Sequence, residues 1–249
     1  MDAINKLSFK DKLRSYKKHP GSLILLILVI LSAIITAGVV LMTFYSLLLA
    51  VPIGVGAAIY LVEYAKRGNK LVSVVRITAE TLSGIPSIVY GLFGYLMFAV
   101  ACGLGYSLLG GALTLAIMIL PLIMRTTEEA LKAVPDAYRE GSFGLGAGHL
   151  RTIFKVVLPS AVPGILAGVI LAIGRIVGET AALLYSAGTI AQVAVNPLDS
   201  GRTLAVHMYA LLSEGLYTDQ AYATAVVLLV MVIGINALSG VIARKLAAK

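Results

Sequence analysis

Charge is the first thing this sequence has little of: Asp, Glu, Lys and Arg make up 13% of its 249 residues, against about a quarter in soluble domains. With 59% hydrophobic residues and a mean hydropathy of +0.95, that scarcity excludes an ordinary water-soluble domain and places the chain in lipid. A single cysteine, Cys102, lies in an apolar run and excludes any disulfide framework or zinc-spacing motif within the chain. Three histidines, His19, His149 and His207, stand far apart, so no metal-ligand spacing exists, and all three read as surface residues. No nucleophile, base and acid fall into a catalytic constellation. Gly144, Gly146 and Gly148 imitate a phosphate-binding glycine loop, but no strand precedes them and no Gly-Lys-Ser/Thr follows, which argues against a nucleotide site in this chain.

What is present is a set of long apolar runs with the cations between them. A crossing helix needs about 20 apolar residues, and candidate spans fall near 22–43, 45–64, 82–102, 108–125, 161–187 and 221–243. The expectation is therefore an all-α membrane protein with six transmembrane helices and no cleavable signal peptide. The formal net charge of +8 is distributed as topology dictates, not gathered as on a nucleic-acid-binding face. Residues 1–21 form a basic segment with Lys6, Lys10, Lys12, Arg14, Lys17 and Lys18, a cytoplasmic retention signal. Threading from there puts 65–81, 126–160 and both termini in the cytoplasm. The opposite face has one long loop, about 188–220, whose only basic residue is Arg202. The reversal between the first two spans has to fall around Met42-Thr43-Phe44-Tyr45-Ser46, which holds neither Gly nor Pro. An unbroken helix there would be about 60 Å long, twice the bilayer core, so two spans are expected. Residues 22–249 read as one transmembrane domain with a cytoplasmic loop at about 126–160, and with Pro52, Gly54, Gly84 and Pro86 as tolerated kinks or packing sites.

The loop at 139–159, REGSFGLGAGHLRTIFKVVLP, reads as a short surface helix. Glu140, Gly146, Val156, Leu158 and Pro159 match the spacing of the "EAA" loop of bacterial ABC-importer permeases, with Gly141 and Ser142 where that family has two alanines. IPSIVYGLFG at 85–94, RTTEEALKAVP at 125–135 and AIGRIVGETAALLYSAG at 172–188 resemble phosphate-importer permeases of the PstA type. The resemblance implies a type I, MetI-like architecture in a bacterial or archaeal inner membrane. It implies that Glu140, Gly141, Gly146, Leu158 and Pro159 couple to an ATPase. The implied partners are a PstC-like second permease subunit, two PstB-like ATPase subunits that use ATP and Mg, and a PstS-like external phosphate-binding protein; this chain would hold no cofactor and no catalytic site. The near-absent segment between the first two spans departs from the family, which usually carries a longer external stretch there. An ordinary amphipathic connector on the membrane is the plain alternative for the loop.

Arg175 and Glu179 fall near the middle of the expected fifth span, where an ionised residue costs about 2.5–3.5 kcal/mol and marks a pathway or a structural pair. Spaced i,i+4, they can pair on one helix face. A guanidinium recognises an oxyanion at two points, so Arg175 is the first choice for the anion contact, with Glu179 orienting it and keeping the empty passage near neutral. Arg125, read as closing the fourth span, is a second contact, with Thr126 and Thr127 as possible hydroxyl donors and Glu128 and Glu129 in the solvated loop. The expected function is half of a phosphate translocation pathway. Sulfate or molybdate, an ATP-independent secondary transporter, and a non-transporting scaffold or phosphate-sensing partner remain as alternatives.

Overall fold

The computed structural model describes residues 20–247 apart from 67, 193, 195 and 216, with side chains from Gly38 to Val241 except Ser239. The basic N-terminal segment and His19 lie outside these residues. Among the described residues every regular element is helical. In chain order they are α1 (Pro20–Ile59, closing in a π-helical turn Tyr60–Tyr64), α2 (Lys70–Ser83), α3 (Ser87–Ala101), α4 (Leu108–Lys132) and α5 (Asp136–Gly144). They are followed by α6 (His149–Val177), α7 (Ala181–Ser186), α8 (Leu204–Glu214) and α9 (Thr218–Ala247).

α4 is the central helix. Of its most apolar stretch 67% is buried inside the protein, against 6% for α9, and α1 and α6 pack along it. One cluster around Met42, Leu115, Ile119, Ile176 and Leu183 fills one end of the bundle. A second, around Leu131, Ile153, Val157 and Ala161, fills the other. Close approach depends on small residues: a Cβ on Gly54 would meet Ile123 Cγ2 at 2.9 Å, so α1 touches α4 nearly backbone to side chain.

Several expected boundaries move. The reversal at 42–46 is absent, and α1 continues straight through it. The reason is local: the two aliphatic hydroxyls there bond back to their own helix, Thr43 Oγ1 donating to the Val39 carbonyl and Ser46 Oγ to that of Met42, both at 2.7 Å. With no Gly or Pro to end the helix, nothing does. Among the described residues four helices are long and apolar enough to cross a membrane, five if α2 and α3 count as one bent span, which does not confirm the expected count of six. The 65–81 tail is largely helical as α2, capped by Asn69, whose side chain accepts from Leu71 N at 2.9 Å. Gly84-Ile85-Pro86 turn the chain by 102° into α3, and Tyr90 Oη, donating to the Leu82 carbonyl at 2.7 Å, holds the bend. The expected outer loop 188–220 contains α8, whose Leu204, Ala205, Val206 and His207 are buried.

Candidate functional site

α4 runs seven residues past its expected end, because Pro135 is the first breaker after Arg125 and charges at i,i+4 support the added turns. Arg125 Nε lies 3.2 Å from Glu129 Oε1, and Lys132 Nζ lies 2.7 Å from Glu128 Oε1. Glu128, expected in solvent, is 7% exposed and also receives Arg76 from α2. One buried carboxylate therefore fastens the amphipathic helix α2 to the core helix α4.

Between α2, α4 and the end of α6 lies a cavity of about 430 Å³. Arg76, Arg125 and Arg175 line it, with Glu80, Glu128 and Glu129. Three carboxylates thus share the cavity with the three guanidinium groups, and Glu179 is not among them. Arg76 and Arg125 are already ion-paired. Arg175 has neither an ion-pair nor a hydrogen-bond partner among the described residues, which leaves its guanidinium the uncommitted donor of the three.

The local reason for that position is the end of α6. Expected mid-span, Arg175 instead stands in the last turn, since the helix stops at Val177 with Gly178 as its cap. A cation is favourable at this negative helix end. Glu179 falls beyond the stop and therefore cannot share a helix face with Arg175. It is buried, and its Oε1 accepts from Ala182 N at 3.1 Å, tying down the start of α7. Thr126 does line the cavity, but its hydroxyl is spent on the Leu122 and Ile123 carbonyls at 3.0 and 3.2 Å. Its larger role is packing: a Cβ on Gly168 would collide with Thr126 Oγ1, so α6 passes α4 here only because residue 168 is glycine. Thr127 is fully buried. Arg76, expected in the cytoplasmic segment 65–81 and not at a site, is legible only from the amphipathic pattern of 70–83.

The expected coupling residues lie away from this cavity. None of the nine residues of α5 is buried, and Glu140 and Gly141 are exposed on it. Gly146 has a φ of +81°, a left-handed conformation that ends the element with little cost for glycine. Leu158 and Pro159 are not in a loop; they lie inside α6, past its π-helical turn Ile153–Val157. Tyr138, Phe143, Leu145, Leu150 and Phe154 stand exposed around the α5–α6 turn. His149 remains at the surface, its ring edge-on to Tyr64 and stacked on Phe143.

On the far side, the buried His207 Nδ1 and Arg202 Nε have no hydrogen-bond partner. Burial first, and the neighbouring guanidinium second, hold the His207 imidazole below its ordinary value. Burial likewise lowers Arg202, which Glu214 partly offsets.

A helical bundle with a charge-lined cavity beside its central apolar helix is the architecture of a membrane transport component. Residues 50–249 match the family described as binding-protein-dependent transport system inner membrane component, and the chain belongs to it. Among curated relatives it is 40% identical over 189 residues to a probable ABC transporter permease protein, YqgI, of Bacillus subtilis, covering 71% of this chain and 64% of that one. It is 35% identical over 192 residues to the phosphate transport system permease protein PstA of Mycobacterium leprae, covering 76% of this chain and 62% of that one. The chain thus spans just under two thirds of the length of these two relatives. In structure it is similar to a chain of the MetNI methionine ABC transporter in an inward-facing conformation, with a TM-score of 0.66 at 22% identity over 86% of this chain and 93% of that chain. An amino acid ABC transporter gives 0.62 at 20%, over 88% and 97%. These likenesses establish the MetI-like fold.

Proposed function

We propose that this chain is the permease subunit of an ATP-driven phosphate importer and supplies half of its translocation pathway. The observation that carries the reading is the cavity where Arg76, Arg125 and Arg175 converge, with Arg175 uncommitted. A tetrahedral oxyanion in a low-dielectric passage needs positive charge and directed N–H donors, and a planar guanidinium provides both. Carboxylates on the same wall keep the empty cavity near neutral, so the anion is held without being trapped. The relatives named for phosphate transport favour phosphate over sulfate or molybdate.

A complete pathway then requires a second, PstC-like permease subunit, two PstB-like ATPase subunits that use ATP and Mg, and a PstS-like external binding protein. α5, with Glu140 and Gly141 exposed and apolar side chains around the turn at Gly146, is the element suited to dock an ATPase. The basic residues Lys66, Lys70, Arg76, Lys132, Arg139, Arg151 and Lys155 support the reading that this end of the bundle faces the cytoplasm, in a bacterial or archaeal inner membrane.

Uptake of radiolabelled phosphate into vesicles holding the whole complex and its binding protein tests this reading. Uptake that requires ATP and the binding protein, resists excess sulfate and disappears in Arg175→Gln is the expected result. Sulfate competition would move the cargo to another oxyanion, and uptake without an ATPase would make the chain a secondary transporter.

A further inference from the structure

Because α5 buries none of its own residues, it is joined to the bundle by the short connections at its two ends and by a few side-chain contacts. At its far end Ser142 and Thr152 share a hydroxyl hydrogen bond of 2.8 Å, and the His149 ring leans on Tyr64 and Phe143. At its near end stands Arg139, 15% exposed, facing Glu63, 6% exposed. All five guanidinium N–H groups are used. Nε and one Nη2 proton go to the Glu63 carboxylate, at 3.2 and 2.7 Å from Oε1. The other Nη2 proton goes to the Leu131 carbonyl at 3.0 Å. Nη1 donates to the Val134 carbonyl at 2.9 Å and to Asp136 Oδ1 at 3.1 Å.

We propose that Arg139 and Glu63 are the fastener through which α5 moves α1 and α4 as one body. This inference rests on the reading of α5 as the ATPase-docking element. Three parts of the chain meet at one rigid planar group: the π-helical turn that ends α1, the end of α4 with the turn after it, through the Leu131 and Val134 carbonyls, and α5 itself. Five donors in a fixed planar fork define the relative position of all three, whereas an ammonium offers three rotatable donors from a single atom and fixes no such geometry. Removing either partner leaves the other charge buried, so the fastener stays closed throughout the cycle. Arg139 is a positioning residue: it touches neither cargo nor nucleotide, and its effect falls on how much transport each ATP yields.

The test measures phosphate taken up per ATP hydrolysed in vesicles holding the whole complex, with assembly scored separately by co-purification of the ATPase. Arg139→Lys keeps the charge and loses the fork; Glu63→Gln keeps the shape and loses the charge. Each is expected to lower uptake per ATP by about tenfold, the equivalent of one lost charge-assisted hydrogen bond, while the ATPase still co-purifies. Exchanging the two residues, Glu63→Arg with Arg139→Glu, is expected to recover part of the ratio. A native ratio in the assembled fraction of both single variants, however little of it forms, would make the pair structural and overturn the inference. If the native complex itself shows no ATP-linked uptake, the docking role of α5 falls, and the fastener with it.

Discussion

Arg139 and Arg175 are the same residue type in opposite conditions. At the junction of α4 and α5, Arg139 spends every donor on fixed protein acceptors, and the Glu63 carboxylate, its strongest partner, raises its pKa further. Beside the cavity, Arg175 ends α6 with its guanidinium unspent. The difference separates a guanidinium that holds the fold from one that is available to a passing anion. It also shows why counting intramembrane charges is a weaker guide than asking which of them are already satisfied.

The comparison breaks most visibly in stability. Arg139→Ala leaves the Glu63 carboxylate buried without its main partner and is expected to lower the unfolding free energy by about 3–5 kcal/mol. Arg175→Gln, which has no ion pair or hydrogen bond to lose and gives up only its interaction with the end of α6, is expected to cost about 0.3–1 kcal/mol. Denaturant unfolding in detergent micelles distinguishes the two, and equal losses would remove the contrast. Next in size is Gly168→Val, which drives a side chain into Thr126 and forces α6 off α4. A loss of about 1–3 kcal/mol is expected, recovered in part by adding Thr126→Ala, whereas a neutral Gly168→Val would mean the cavity wall yields freely.

Much of this was legible in the sequence. The helical membrane class followed from the apolar runs; the short surface helix expected within 139–159 lies instead at Asp136–Gly144; and Arg125, Thr126 and Arg175, expected on one pathway from spacing and family resemblance, line one cavity without Glu179. What was not legible depended on where helices stop. A run of apolar residues does not reveal that Gly178 ends α6, so Arg175 and Glu179 were placed on one face when the helix ends between them. Length alone suggested a reversal near residue 44, but Thr43 and Ser46 satisfy themselves against their own helix and give the chain no reason to turn. Glu128 reads as a solvated residue, and Glu63 carries no signal at the end of an expected span, because their partners Arg76 and Arg139 lie 52 and 76 residues away in the chain.

Smaller effects sharpen the same comparison at its edges. His207 is buried without a partner for Nδ1, so its folded pKa lies below the ordinary 6.5. The unfolded chain takes up that proton first, so the contribution to stability is full above pH 6.5 and is lost as pH falls from there through the folded value. Tm is expected to drop over that window, and His207→Phe should remove that part of the drop; an unchanged pH profile would contradict the assignment. Smallest of all is Glu129→Gln, which breaks an ion pair with both side chains about two-thirds exposed. Such a pair contributes about 0–1 kcal/mol, and a larger loss in the same unfolding assay would mean Arg125 is fixed as firmly as Arg139.

The most direct measurement compares ATP-driven, binding-protein-dependent phosphate uptake by the native complex and by Arg175→Gln, at matched amounts of assembled complex. Loss of uptake with assembly and fold stability retained is the predicted result. Native uptake by the variant would contradict the claim that the unspent guanidinium beside the cavity serves the passing anion.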